Sequence, residues 1–152
     1  MRQSGGLMAK RTTKKSKVSL KGTGHFTGMR GVYLVAAELA GRGFIASPTS
    51  RGAMAADLLV TDRKCRHSYT VQVKANATFG QSWLIGKRAG TIRSDTLLYA
   101  FVFIPKTTPP VYFIVPSSDV ARVAKKSRST MPWVTRKFLN KYKDNWQEFG
   151  RP

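Results

Sequence analysis

The chain has 152 residues, of which 41% are apolar and 11% aromatic, which is enough for the core of one globular domain. Lysine and arginine number 27 against 7 aspartate and glutamate residues, so the net charge is +20 and a polyanionic partner is expected. The longest apolar run, residues 97–104, is too short to span a bilayer, and the basic residues 1–21 contain no secretory-type apolar segment. These features predict a cytoplasmic protein that binds nucleic acid and no membrane.

Cysteine and histidine are scarce, and this limits the metals that the chain can hold. Cys65 is the only cysteine, and His25 and His67 are the only histidines. An internal disulfide and a cysteine-based zinc site are therefore excluded, and a histidine-rich zinc site is not expected. A catalytic metal has to be held mainly by oxygen ligands, which points to Mg²⁺ or Mn²⁺.

The first predicted elements are a basic arm and a helix. Residues 1–26 are expected to form a disordered arm that contacts phosphates, and its clearest basic cluster is Lys14, Lys15 and Lys17. Between Val32 and Leu39 apolar residues recur at i, i+3, i+4 and i+7, and glycines follow, which predicts a helix over residues 27–40.

Strands are predicted to dominate the middle of the chain, within a core domain of residues 27–130. A helix over residues 119–126 should follow them, because Asp119 and the lysines at its end suit the helix dipole. Residues 131–152 read as a basic tail with a short helix that packs its aromatic face on the domain, in preference to stacking Trp133 and Trp146 on bases. The predicted strands are residues 44–47, 56–60, 69–76, 97–104 and 111–115.

Two of the seven carboxylates stand among apolar neighbours, and these carry the functional argument. They are Glu38 in the predicted helix and Asp57 in the second strand. Burial of an ionised carboxylate is costly unless it is paired or bound to metal. The other five lie in turns, caps or polar tail segments, where solvation or capping accounts for them.

The strand over residues 69–76 brings further polar groups to the same place. Alternation puts Gln72 and Lys74 on one face. If this strand pairs antiparallel with the preceding one across a turn at residues 62–67, Asp57 lies directly opposite Gln72 and one pleat from Lys74.

Such a group suits metal-dependent hydrolysis of a phosphodiester. Asp57 would be a direct metal ligand, and the Gln72 amide oxygen and the Val73 carbonyl would complete the protein's share. Lys74 would orient water or stabilise the transition state, and Glu38 would approach from the helix.

At residues 31–126 the chain resembles the PD-(D/E)XK nuclease superfamily, in particular its small stand-alone endonucleases and Holliday junction resolvases. The matching segments are residues 37–39 (AEL), 56–60 (ADLLV), 71–74 (VQVK) and 113–117 (FIVPS). Ala56 replaces the proline of the family motif, and Gln72 stands where Glu or Asp is usual, as it does in Mrr-type restriction endonucleases.

The resemblance implies an α/β (α+β) fold with a restriction-endonuclease-like core, a central mixed five-stranded sheet flanked by helices. It implies a Mg²⁺-dependent endodeoxyribonuclease that acts on DNA, including branched DNA, with RNA still open as a substrate. A homodimer is expected as well.

Six further residues are candidate nucleic-acid contacts. They are Thr49, Arg51, Lys64, Arg66, Lys87 and Arg88. A plain polar loop is the preferred explanation for the two in residues 47–51, and a solvated turn stays open for the two in residues 62–67. Two other functions stay open: a non-catalytic nucleic-acid-binding protein on a degenerate nuclease scaffold, which Gln72 favours, and a basic ribosome-associated protein.

Overall fold

The computed structural model describes residues 23–50, 53, 56–78, 81–126 and 131–152. Its regular elements are α1 (Thr23–Gly41), β1 (Ile45–Pro48), β2 (Leu58–Thr61), β3 (Ser68–Asn76), β4 (Ser82–Leu84), β5 (Leu97–Phe103), β6 (Val111–Pro116), α2 (Ser117–Lys126), β7 (Trp133–Thr135) and α3 (Arg136–Leu139). Short 3-10 turns cover Lys87–Gly90, Asn140–Tyr142 and Trp146–Phe149. No helix within the described ranges has both the length and the apolar character needed to cross a membrane.

A five-stranded mixed sheet forms the centre of the fold, as predicted. Its strand order is β1-β2-β3-β5-β6, in which β3 and β5 run parallel and every other neighbouring pair is antiparallel. One face packs on α1 through a core that includes Val35, Leu39 and Val71. The other face carries a second core around Phe101 and Phe113, which α2, β4 and β7 cover. The molecule is therefore a layered mixed α/β domain.

Helix α1 packs very close to β3 because Gly31 lies at the contact. A Cβ added at Gly31 would stand 2.5 Å from the Ala75 Cβ and 3.3 Å from the Val73 Cγ1. The helix also begins at Thr23, earlier than the predicted start at residue 27. Phe26 in the first turn is exposed, so this turn does not extend the pattern of apolar residues from which the helix was predicted.

The turn between β2 and β3 is organised by a buried carboxylate. Asp62 is 1% exposed, and its Oδ1 accepts the main-chain N–H groups of Arg66 at 2.6 Å and His67 at 3.4 Å. Burial raises the pKa of Asp62, but these two main-chain donors, the His67 ring and the Arg66 charge outweigh burial and hold the pKa below its ordinary value. Asp62 therefore stabilises the hairpin in its ionised form.

The tail differs from the predicted single helix. Trp133–Thr135 forms β7, which pairs with β4, a strand absent from the sequence prediction, and the one-turn α3 follows. The rest of the tail packs on the domain, with Trp146 8% and Phe149 1% exposed. The packing prediction is correct for Trp146 and wrong for Trp133, which is 53% exposed.

Candidate functional site

Asp57 and Gln72 meet at the open end of the β2–β3 hairpin. Leu58 pairs with Val71 and Thr61 with Ser68, so the predicted register is confirmed, and one residue further it sets Asp57 opposite Gln72. The Gln72 Nε2 donates a hydrogen bond to the Asp57 Oδ2. The Val73 main-chain N–H donates to the same oxygen at 2.7 Å. The carboxylate is thus oriented from β3 by two donors.

The main chain holds Asp57 from both sides. Its N–H donates to the Val71 carbonyl at 2.8 Å, and its carbonyl accepts the Thr49 N–H at 3.0 Å. The Thr49 hydroxyl donates to the Ala56 carbonyl at 2.6 Å. The hydroxyl of Thr49, a candidate nucleic-acid contact, therefore stabilises the position of the segment that carries Asp57. A carboxylate on such a constrained backbone needs little reorganisation to act.

An open pocket of about 700 Å³ surrounds this pair. Lys74 lies in its wall with Asp57, Gln72 and Val73, and Asp57 is the only carboxylate among the described residues that line it. The remaining described lining residues are Gly24, His25, Gly28, Met29, Val32, Tyr33, Pro48, Thr49, Ser50, Ala53 and Ala56.

The first half of α1 covers the pocket, and sequence reasoning missed its contribution. His25, Gly28, Met29 and Val32 recur at i, i+3, i+4 and i+7, so they share one helical face. That spacing would have identified them had the helix been started at Thr23. The side chains of His25, Met29 and Val32 bring to the pocket an imidazole, a thioether and apolar surface.

Glu38 is not brought to this pocket, which corrects the expectation that it approaches Asp57. The helix residues that line the pocket end at Tyr33, and five more residues advance the helix by about 7.5 Å. Glu38 instead pairs with Arg42 at 2.7 Å and is 36% exposed. The pKa of Tyr112 on β6 is raised, mainly by burial and next by the negative charge of Glu38. This effect agrees with a position of Glu38 toward the β6 side of the sheet.

The remaining basic candidates lie elsewhere. Lys64 and Arg66 are exposed at the closed end of the hairpin. This turn begins five residues after Asp57, which is a distance of about 16 Å along an extended strand. Arg88 is exposed on the 3-10 turn that precedes β5. Four other candidates lie outside the described residues: Lys14, Lys15, Lys17 and Arg51. The backbone of Lys87 is described, but its side chain is not.

The donor set at the pocket decides which metal it fits. Within the described ranges no group of three or more histidine, cysteine, aspartate or glutamate side chains is close enough to share an ion. The described lining offers one carboxylate and neutral oxygens, a donor set that would hold an oxygen-preferring ion only together with waters or a bound ligand. It does not suit a metal that the protein must hold alone.

Comparison with protein-family models, curated proteins and solved structures finds no match for this chain in any of the three. Its function is therefore argued from the geometry and charge of the pocket.

Proposed function

We propose that the protein is a divalent-metal-dependent endonuclease that hydrolyses phosphodiester bonds in DNA. The observation that carries the proposal is the meeting of Asp57, Gln72 and Lys74 in one open pocket of a chain with net charge +20. A carboxylate and an amide oxygen that can bind a metal ion, and an ammonium that can offset phosphate charge, suit the cleavage of a phosphodiester. They come from β3 and from the segment that enters β2.

The fold supports the proposal in its coarse features. A mixed sheet in which an antiparallel β1-β2-β3 unit continues through a parallel β3–β5 pair is compatible with the restriction-endonuclease-like core that the sequence resemblance implies. The three residues lie on the central β2–β3 hairpin of that unit and on the segment that enters it. A rigid sheet is the kind of scaffold that keeps such groups in register.

Three oxygen donors would hold the metal: the Asp57 carboxylate, the Gln72 amide and the Val73 carbonyl. Main-chain groups two residues apart on a strand point to the same side, so the Val73 carbonyl shares a side with that of Val71, which accepts from Asp57. If Mg²⁺ bound there, it would supply a water of lowered pKa and charge neutralisation at the phosphate. A single carboxylate predicts weak metal affinity until phosphate oxygens join the ligands.

The chain's own residues then have distinct roles. Gln72 and the Val73 N–H fix the direction of the Asp57 carboxylate. Lys74 follows Gln72 on the same strand face at a spacing of about 7 Å, so its ammonium can neutralise charge that develops on the phosphate oxygens. The first half of α1 supplies part of the pocket wall.

A plasmid-nicking assay with Mg²⁺, Mn²⁺ or EDTA tests the proposal. We expect cleavage that needs the metal and falls at least about 100-fold in Asp57→Asn and in Lys74→Ala, the size typical of losing one charge-stabilising group. Asp95→Asn is the matched control, because Asp95 is an exposed carboxylate outside the pocket lining. Absence of metal-dependent cleavage, or full activity in Asp57→Asn, contradicts the proposal. Branched DNA and RNA in the same assay identify the preferred substrate.

A second candidate is a nucleic-acid-binding protein that does not cleave. The observation in its favour is that Asp57 is the only carboxylate of the described pocket lining, while Glu38 is paired with Arg42. Its binding would weaken steeply with salt and would be indifferent to EDTA. Reproducible metal-dependent nicking rules it out.

A further inference from the structure

The ribbon formed by β4 and β7 carries two large exposed apolar side chains side by side. Leu84 pairs directly with Trp133, and the next pair on the same face of the ribbon is Ser82 with Thr135. Leu84 is 54% and Trp133 53% exposed. Cross-strand partners of this kind lie about 5 Å apart at their Cβ atoms, so they form one continuous surface, called here the ribbon platform.

The platform stands on a fixed support. Trp83, which points inward between Ser82 and Leu84, is 3% exposed and packs its ring on Phe101 and Phe113 at 6.2 and 5.9 Å between centroids. Its Nε1 donates to a β5 carbonyl at 3.2 Å. The Trp133 ring is therefore presented on an ordered backbone, and a ligand that stacks on it has little chain entropy to overcome.

The platform lies close to the pocket. Lys74 pairs with Phe101, the residue whose ring contacts Trp83, so the ribbon covers the sheet face that carries Gln72 and Lys74. The Asn76 side chain, two residues after Lys74, donates to the Ser82 carbonyl at 2.9 Å. Two residues along β3, this hydrogen bond and two residues along β4 together place Leu84 within about 20 Å of Lys74. A stacked nucleic-acid strand covers that distance in about six nucleotides.

We propose that the ribbon platform is a stacking site for unpaired bases of a single-stranded or locally melted nucleic acid. An exposed tryptophan accepts any base on its face, and a chain of net charge +20 attracts the phosphates. The Ser82 and Thr135 hydroxyls beside it can hydrogen-bond to phosphate or base edges.

A second copy of the chain fits the platform less well. Two copies would each bring a charge of +20, and two large side chains supply far less than the roughly 800 Å² per partner that a stable interface buries. The inference rests on the part of the proposed function that makes nucleic acid the substrate. It does not rest on cleavage.

Intrinsic fluorescence isolates the platform, because Trp83 and Trp146 are 3% and 8% exposed while Trp133 is 53% exposed. The experiment is a titration of the full chain in EDTA with an oligothymidylate of about 16 nucleotides and with a duplex of equal length. We expect quenching with the single strand, about tenfold weaker single-strand binding in Trp133→Ala, and a much smaller change with the duplex. Trp133→Phe should lose the quenching and keep most of the affinity. Leu59→Ala, equally exposed at 53% on β2, is the matched control and should bind like the parent chain.

Thermal melting checks that each variant folds, and Leu84→Glu supplies an independent test should Trp133→Ala unfold. Leu84→Glu should also bind the single strand about tenfold more weakly, because it sets a negative charge beside the stacked base. Parental single-strand affinity in both Trp133→Ala and Leu84→Glu, or equal losses on single strand and duplex, overturns the inference. A change from dimer to monomer in Trp133→Ala with unchanged nucleic-acid binding also overturns it. Failure of plasmid cleavage with quenching intact contradicts only the nuclease function.

Discussion

Replacement of Gln72 by glutamate would show whether the pocket is a metal site. Gln72 donates to the Asp57 Oδ2, so Gln72→Glu removes that donor and sets a second carboxylate opposite the first. Two unit charges about 4 Å apart repel by about 4 kcal/mol at an effective dielectric constant of 20, and the lost hydrogen bond adds about 1 kcal/mol. Protonation and relaxation limit the penalty, so we expect the free energy of unfolding to fall by about 2–4 kcal/mol in EDTA near pH 8.

A divalent ion should reverse this effect, because it bridges the two carboxylates and gains a charged ligand. Mg²⁺ at about 100 times its Kd would restore about 2.7 kcal/mol, while the parent chain, with one carboxylate, should gain much less at the same concentration.

Urea denaturation with EDTA or Mg²⁺ measures both quantities. Gln147→Glu is the matched control, since Gln147 is exposed on the last 3-10 turn and should change little under either condition. If Gln72→Glu is as stable as the parent chain in EDTA, the contact between Asp57 and Gln72 is refuted. If it loses stability and Mg²⁺ restores none of it, the pocket does not hold the ion.

Two stability predictions follow from other parts of the fold. Asp62→Asn should destabilise the protein at neutral pH and much less near pH 3. The folded-state pKa of Asp62 is lowered, so its contribution is present above the unfolded-state pKa of about 4 and is lost as the pH falls through the folded value. Urea melts across that range check it, and an equal loss at both ends would contradict it. Gly31→Ala should cost about 1–3 kcal/mol because its Cβ would stand 2.5 Å from that of Ala75, and adding Ala75→Gly should recover part of the loss. Gly28→Ala, with open space around its Cβ, should be neutral or stabilising, and an equal loss there would refute the steric reason.

Several features of the fold follow from local patterns in the sequence. The strand alternation in residues 69–76 and the short turn before it were enough to predict that Asp57 lies opposite Gln72, because an antiparallel register is set by the turn that closes it. The five strands of the sheet were likewise predicted from short apolar runs bounded by turn residues, whereas their mixed arrangement was an implication of the family resemblance. Both are cases in which the decisive interactions lie within a few residues or a single hairpin.

Tertiary structure alone decided the position of Glu38 and the role of the tail. Glu38 and Asp57 both stand among apolar residues in the sequence, but the path of α1 across the sheet carries Glu38 past the pocket to Arg42. β4 and β7 have three residues each and lie about 50 residues apart in the sequence. No local sequence pattern therefore predicts that they pair. That pairing buries Trp83 and exposes Trp133. The direction of a side chain in such a ribbon depends on which face packs against the sheet, and only the long-range contacts determine that face.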